Sequence, residues 1–169
     1  MVNRSKPLPD DAPPADNEDA AVAVLRQFRQ VFNAVKSHFQ QVEKTVGIGG
    51  AQVWALSVVR DNPGIGVSAL ARAMSIHQST ASNLVRTLID RGMVVGVKQS
   101  VDRRAVQLNL LPAGAKVLKS APGPFAGLLP DALKSLPPET LARLEQDLGR
   151  LIVAIAADEA GASIPLSDI

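Results

Sequence analysis

Five residues that can contact nucleic acid recur at helical spacing near the middle of the chain. They are Ser79, Thr80, Ser82, Asn83 and Arg86. Their side chains are short, hydrogen-bonding or basic, as base edges and phosphates require when a helix enters the DNA major groove. Apolar residues fill the remaining helical positions, namely Ala81, Leu84, Val85, Leu88 and Ile89. The pattern predicts a helix over 78–91 that buries one face and presents the other to a polar partner.

A second group of charged residues lies in a turn between two β-like runs. It comprises Lys98, Asp102, Arg103 and Arg104. Arginine has a flat fork of donors that suits phosphates and narrow minor grooves, so residues 98–105 are expected to contact the DNA backbone or minor groove. Asp102 is expected to accept hydrogen bonds from an arginine and fix the hairpin tip. The alternative is that these charges only stabilise the turn.

The elements around these residues have a characteristic order. A short helix is expected to start with Ser68 as N-cap and to bury Leu70, Ala73 and Met74. The turn 75–77 and the polar helix follow, and Gly92 ends that helix before the two strands. Helix, turn, helix, strand, basic turn and strand together predict a winged helix-turn-helix. The fold class expected is therefore mainly α with a small β-wing, embedded in a helical dimerisation bundle.

Helices are expected on both sides of this module. A long helix over 18–46 carries a heptad-like apolar stripe, and a shorter one covers 51–60. Pro112 suits a first helical turn, and Pro122-Gly123-Pro124 must interrupt the helix that follows. Helix is expected again over 125–136, and a last helix begins at Pro137-Pro138 with an apolar face.

These elements give five predicted regions. They are a flexible Pro/Asp-rich tail (1–18), N-terminal dimerisation and scaffold helices (19–61), the winged helix-turn-helix (62–111), C-terminal dimerisation helices (112–160) and a loose tail (161–169). The first and last helices carry more apolar stripe than the small wing domain can cover. They are expected to pack together, either within one chain or, as we favour, across a two-fold axis.

Composition narrows the class of protein. Residues 60–119 carry nine basic and three acidic side chains, whereas residues 120–169 carry three basic and seven acidic ones. The positive charge therefore lies on the module expected to meet phosphates, although a solvated surface alone would give the same excess. The chain has no cysteine and two histidines, so we expect no disulfide, metal site or cofactor. Without a long apolar run or a signal-peptide core, a cytoplasmic location is expected.

Several motifs of this chain resemble those of one known family. They are Val67-Ser68-Ala69-Leu70-Ala71, Ser79-Thr80-Ala81-Ser82-Asn83-Leu84-Val85, Leu88-Ile89-Asp90-Arg91-Gly92-Met93-Val94, Asp102-Arg103-Arg104 and Leu110-Leu111-Pro112-Ala113-Gly114. The chain resembles the multiple-antibiotic-resistance regulator (MarR) family of winged helix-turn-helix transcription factors over about residues 19–158. It departs from the family at Leu111, where a capping threonine is common, and around Gly96, where an arginine is common.

The resemblance implies a function. Such proteins are homodimers that bind a palindromic operator in double-stranded DNA, and many are repressors released by a small, often aromatic, ligand. It places the recognition helix at 78–91, the wing's orienting carboxylate at Asp102 and its groove-contacting residue at Arg104.

Two other classes of function fit the sequence less well, and one group of residues is a candidate ligand site. A winged helix also serves as a protein-interaction module, which an acidic or apolar outer face on the second helix would have favoured. An enzyme is not expected, because the sequence has no phosphate loop, metal cluster or nucleophile elbow. A candidate ligand pocket comprises Phe28, Phe32, His38, Phe39 and Trp54. Core packing would give the same pattern of apolar and aromatic residues.

Overall fold

The computed structural model describes residues 15–98, 106–157 and 159–168. Its helices and strands, in chain order, are α1 (Ala15–Val46), α2 (Gly50–Asp61), α3 (Val67–Met74), α4 (Gln78–Asp90), β1 (Val94–Lys98), β2 (Val106–Leu110), α5 (Pro112–Ser120), α6 (Leu128–Lys134) and α7 (Pro138–Ala154). Short 3-10 helices follow at Glu159–Ser163 and Leu166–Asp168. The expected mainly helical fold with a small β-wing is confirmed.

The chain divides into two compact units, Met1–Asn33 and Ala34–Ile169. The described part of the first unit is helical from Ala15, within the stretch expected to be a flexible tail. Glu18 and Asp19 favour the start of a helix there, because acidic side chains stabilise the positive end of the helix dipole. The rest of that predicted tail, residues 1–14, lies outside the described part of the chain.

The core of the second unit is built around α2. Val53, Leu56 and Val59 of this helix are almost completely buried. Leu70 from α3, Leu88 from α4 and Leu108 from β2 belong to the same cluster and are fully buried. The helix-turn-helix and the wing therefore share one core, which fixes the orientation of α4 relative to the sheet.

The helix-turn-helix differs from the sequence prediction at the start of α3. Ser68 was expected to be the N-cap, but Gly66 occupies that position without a side-chain capping bond. The reason is that Ile65 forms a β-bridge with Leu108, so the chain stays extended up to Gly66 and the helix begins at Val67. Ala73, expected on the buried face, is exposed.

Backbone hydrogen bonds fix the turn before α4 and the turn after it. Ser75 adopts a left-handed conformation with φ of 54° and donates its N–H to Ala71 and Arg72 carbonyls. Gly92 has φ of +66°, which favours glycine, and Met93 N–H donates to the Leu88 carbonyl at 2.9 Å. The helix ends at Asp90, one residue earlier than expected, with Arg91 as C-cap.

The wing is an antiparallel pair of strands. Its register runs from Val94 opposite Leu110 to Lys98 opposite Val106. Leu108 points into the core, and the other residues of β2 are half-buried. The strand pair thus extends directly from the core that holds α4.

The helices after the wing differ from the prediction at the start of α6 and in the burial of α7. Leu111 gives α5 no side-chain cap, as the sequence indicated, and Pro112 lies in its first turn. The helix expected over 125–136 begins only at Leu128, because Gly127 N–H donates to the Pro124 carbonyl and closes a turn first. None of the residues of α7 is buried, although its apolar face was expected to be covered.

The segment 159–168 differs from the loose tail expected from position 161. It forms the two 3-10 helices, and the second one packs against α2. Pro165 is buried there. Proline and apolar residues within this segment give it a surface that α2 can cover.

Candidate nucleic-acid interface

The outer face of α4 presents the polar residues singled out from the sequence. Ser79, Asn83 and Arg86 are exposed and follow one another at intervals of four and three residues, so they lie on one stripe. The opposite stripe, formed by Ala81, Leu84, Val85 and Leu88, is buried. Burying this apolar stripe against the core leaves the polar stripe facing solvent along the whole helix.

Other predicted residues of α4 lie at the sides of this stripe. Thr80 and Ser82 are half-buried. The Ser82 hydroxyl donates to the Gln78 carbonyl at 2.8 Å, so toward a ligand its oxygen acts as an acceptor. Ile89, expected in the buried stripe, is 41% exposed. Asp90, whose side chain is negatively charged, is exposed on the same stripe as Arg86. The part of α4 suited to negatively charged DNA is therefore its N-terminal two-thirds.

A groove of about 600 Å³ opens beside the start of α4. Its walls come from the first turns of α3 and α4 and from β2, and include Ser82, Gln78, Arg72 and Gln107. Arg72 is exposed at the edge of the helix-turn-helix. Arg72 was not predicted as a contact residue, although it lies one helical turn after Ser68 and so shares its face.

The predicted wing residues are only partly described. Lys98 is the last residue of β1, and β1 and β2 bring positions 98 and 106 opposite each other. Asp102, Arg103 and Arg104 lie outside the described residues.

A separate apolar cavity of about 170 Å³ lies in the second unit behind the helix-turn-helix. Phe39 and Trp54, two residues of the predicted ligand pocket, both line it. Its other walls come from the α3–α4 turn (74–76), the loop before α6 (Phe125 and Ala126) and the segment 162–167. The last two walls have no periodic signal in the sequence, because neither belongs to a long helix or strand.

The loop wall of this cavity is held by two side chains from different helices. A ring nitrogen of His38 is 3.1 Å from the Pro124 carbonyl and donates a hydrogen bond to it. The guanidinium carbon of Arg60 lies 5.5 Å from the centre of the Phe125 ring, within cation–π range. His38 therefore positions the wall of the cavity.

Arg60 also pairs with its neighbour Asp61 at 2.7 Å. The hydrogen bond from Arg60 holds the pKa of the Asp61 carboxyl below its usual range, and the same bond raises the pKa of Arg60. Both side chains are about half exposed, so this pair contributes little to stability. Its structural effect is to orient the guanidinium beside Phe125.

Phe28 and Phe32, the remaining aromatic candidates, belong to the first unit. Their rings stack on each other with centroids 6.2 Å apart, and Phe32 is 59% exposed. This position suits packing against another apolar surface.

Metal-binding clusters and membrane-spanning helices are both absent from the described residues. Within these residues, no group of three or more His, Cys, Asp or Glu side chains is arranged to hold a metal ion. Across the same part of the chain, no helix is long and apolar enough to cross a membrane.

Comparison with known proteins identifies the domain. An exposed polar helix held by a helix-turn-helix and followed by a β-wing defines a winged helix-turn-helix DNA-binding domain. Residues 46–105 match the model of the MarR family. The matched residues contain the helix-turn-helix and the first strand of the wing. This part of the chain belongs to the MarR family of transcription regulators. That family consists of transcription regulators and not of enzymes.

The chain is also similar to individual proteins. It is 30% identical over 97 residues to a candidate transcriptional regulatory protein for the hcr operon of Thauera aromatica. The match covers 57% of this chain and 52% of that relative, so the chain spans about half of its length.

Two solved structures share the fold. The transcriptional regulator BldR from Sulfolobus solfataricus has 22% identity and a TM-score of 0.52 over 78% of this chain and 96% of its own. The S. aureus MepR–DNA complex has 19% identity and a TM-score of 0.53 over 76% of this chain and 94% of its own.

Proposed function

We propose that this protein is a homodimeric, sequence-specific regulator of transcription that binds a palindromic operator in double-stranded DNA. The observation that carries this proposal is the exposed stripe of Ser79, Asn83 and Arg86 on a helix whose opposite face is buried. Asn83 is suited to bidentate hydrogen bonds with a base edge, whereas Arg86 is suited to a phosphate or a guanine. Thr80 and Ser82 would contribute shorter contacts at the sides of the groove.

The wing would provide a second contact. Lys98, Arg103 and Arg104 would bind the minor groove or the backbone, with Asp102 fixing an arginine. Arg72 joins this set because it borders the groove beside α4. The lysine and the three arginines carry positive charge and would supply the salt-dependent part of the affinity for DNA.

The uncovered apolar side chains support a homodimer. In α7, Val153 is 80% exposed, and Leu144, Leu148 and Ile152 are also exposed; Ile155, the C-cap of this helix, is 65% exposed. In the first unit, Val22, Leu25 and Phe32 are exposed along α1. Patches of this kind mark interaction surfaces, and a two-fold dimer would present two copies of α4 to a palindromic site. Residues 19–61 and 112–160 would form that interface.

We further propose that the protein is a repressor that acts in the cytoplasm and is released by a small aromatic ligand. The apolar cavity supports ligand release, because the turn that leads into α4 forms one of its walls. A ligand seated there would contact Ser75 and Ile76 directly and alter the position of α4.

Fluorescence anisotropy tests the DNA-binding proposal. Wild type is titrated against the intergenic DNA beside its own gene, and against a scrambled duplex, at two salt concentrations. We expect preference for the native duplex that persists at the higher salt. Equal binding to both duplexes that disappears with salt would mean charge attraction alone and would contradict the proposal for this DNA.

A further inference from the structure

Arg91, the residue that follows α4, donates a hydrogen bond to a distant part of the chain. Its Nη1 atom lies 3.1 Å from the Gly47 carbonyl oxygen, 44 positions earlier in the sequence. Arg91 is the C-cap of α4, and Gly47 directly follows the last residue of α1. The bond therefore joins the end of the proposed recognition helix to the end of a helix in the proposed dimer interface.

The Gly47 carbonyl is an acceptor that the backbone leaves to a side chain. Gly47 has φ of +73°, which favours glycine, and its N–H donates to the Glu43 carbonyl at 2.8 Å. Within the described part of the chain, no backbone N–H donates to the Gly47 carbonyl itself. The helix dipole also favours a cation at this end of α1. The guanidinium of Arg91 supplies both the donor and the positive charge.

The backbone on each side of this hydrogen bond is anchored in the core. Ile48, next to Gly47, and Leu88, three residues before Arg91, are buried members of the same apolar cluster. The N–H of Arg91 donates to the Thr87 carbonyl at 3.1 Å. The bond therefore connects two points that are already ordered, and only the Arg91 side chain loses conformational freedom when it forms.

The position of Arg91 differs from that of the arginine proposed to contact DNA. Arg91 comes five residues after Arg86, which places it about 140° around the helix from that residue and off the stripe that carries Ser79 and Asn83. The two ion pairs formed between described residues do not include Arg91. Its guanidinium is thus directed to a carbonyl of the protein.

We infer that Arg91 is a positioning residue for DNA recognition, which fixes the angle of α4 relative to the end of α1 through the Gly47 carbonyl. Apolar packing holds α4 in the core but is non-directional, whereas a hydrogen bond is directional. In a dimer that presents two copies of α4 to a palindrome, this angle determines which separation of the half-sites is bound. The inference rests on the proposed homodimeric regulator and adds a residue that selects half-site spacing without contacting DNA.

Hydrogen exchange measured by NMR tests this link without DNA. Arg91→Met removes the donor and keeps an unbranched apolar stem. The N–H groups of Gly47 and Met93, which are bonded at the ends of α1 and α4, should exchange about threefold to tenfold faster in this variant. Arg143→Met makes the same change at an exposed position on α7 and should leave both rates unchanged. Unchanged exchange at either N–H in Arg91→Met would overturn the inference.

The salt dependence of DNA affinity separates positioning from a phosphate contact. The DNA used is the duplex that wild type prefers. Arg91→Met should weaken binding by about threefold to tenfold and leave the slope of log affinity against log salt concentration unchanged. Arg86→Met, the same substitution within α4, should reduce that slope by about one. A slope reduced by about one in Arg91→Met would mean that Arg91 binds a phosphate and would refute its role as a positioning residue.

Half-site spacing provides a readout that a purely structural role would not change. Wild type and Arg91→Met are titrated against the preferred duplex and against duplexes with one base pair inserted or removed at its centre. We expect the preference for the original spacing to fall at least about threefold in Arg91→Met, and an equal preference in both proteins would refute the inference. A wild type that prefers no duplex would refute the regulator, and with it this role in DNA recognition. Unchanged exchange in a protein that does prefer a duplex would refute the role of Arg91 alone.

Discussion

Replacing Gly114 with alanine should loosen the junction between α5 and the wing. A Cβ at this position would lie 2.5 Å from the Met93 carbonyl oxygen, 2.7 Å from Leu110 Cδ1 and 3.2 Å from Leu56 Cδ2. The Met93 oxygen cannot move away freely, because it accepts a hydrogen bond from Leu111 N–H at 2.9 Å. The backbone of α5 must therefore shift away from the strands.

The magnitude follows from two opposing effects. Alanine in a helix is favoured over glycine by about 1 kcal/mol, whereas an added methyl group in a packed site costs about 1–3 kcal/mol. Because backbone is among the atoms contacted, we expect a net loss of about 2 kcal/mol in the free energy of unfolding. For a chain of this size, that lowers the Tm by about 4–8 °C.

Urea and thermal unfolding measure this effect against a matched substitution. Gly149 lies within α7, and a Cβ there would meet no atom within 4 Å. Gly149→Ala should therefore raise the free energy of unfolding by up to about 1 kcal/mol. A Gly114→Ala variant as stable as wild type, or more stable, would refute the packing derived for α5 and the wing.

Three other substitutions give distinct expectations. Leu88→Ala should lower the free energy of unfolding by about 2–5 kcal/mol, because Leu88 is fully buried. Ile89→Ala, at the exposed neighbouring position, should lower it by less than about 1 kcal/mol. Equal losses in urea unfolding would contradict the orientation of α4. Arg86→Ala should reduce the slope of log DNA affinity against log salt concentration by about one. Arg143→Ala, at an exposed position on α7, should leave this slope unchanged. An unaltered slope for Arg86→Ala would exclude a phosphate contact by Arg86. Arg60→Met should return the pKa of Asp61 toward its usual value in an NMR titration, because its hydrogen-bond donor is lost. Since the folded pKa of Asp61 is lowered, the small stabilisation from this pair is present above the unfolded pKa and lost as pH falls, and the variant should lack that dependence.

The elements with strong periodic patterns could be predicted from the sequence. α4 was expected over 78–91 and spans Gln78–Asp90, because its apolar stripe and the glycine after it are local signals. The two β-like runs on either side of the basic turn predicted the strands β1 and β2. The exposed stripe of Ser79, Asn83 and Arg86 follows from the same spacing, because a buried stripe determines the opposite one.

The rest depends on contacts between residues distant in the chain. The predicted start of α3 was wrong because the bridge between Ile65 and Leu108 determines where the helix begins. That pairing has no local signal in the sequence. The cavity brings together Phe39, Trp54, Phe125 and Ile164 from four separate segments. Helical spacing indicated the first two residues but could not indicate that the segment 162–167 would close the space beside them.

Selection of bound duplexes from a random pool tests the central claim, that α4 reads DNA sequence, most directly. Wild type and Asn83→Ala are each used to enrich duplexes, and the enriched sequences are compared. We expect wild type to enrich a palindrome and Asn83→Ala to lose or change its preference at symmetry-related positions within that palindrome. Enrichment of no common sequence by wild type, or of the same sequence with the same preference by both proteins, would contradict the claim.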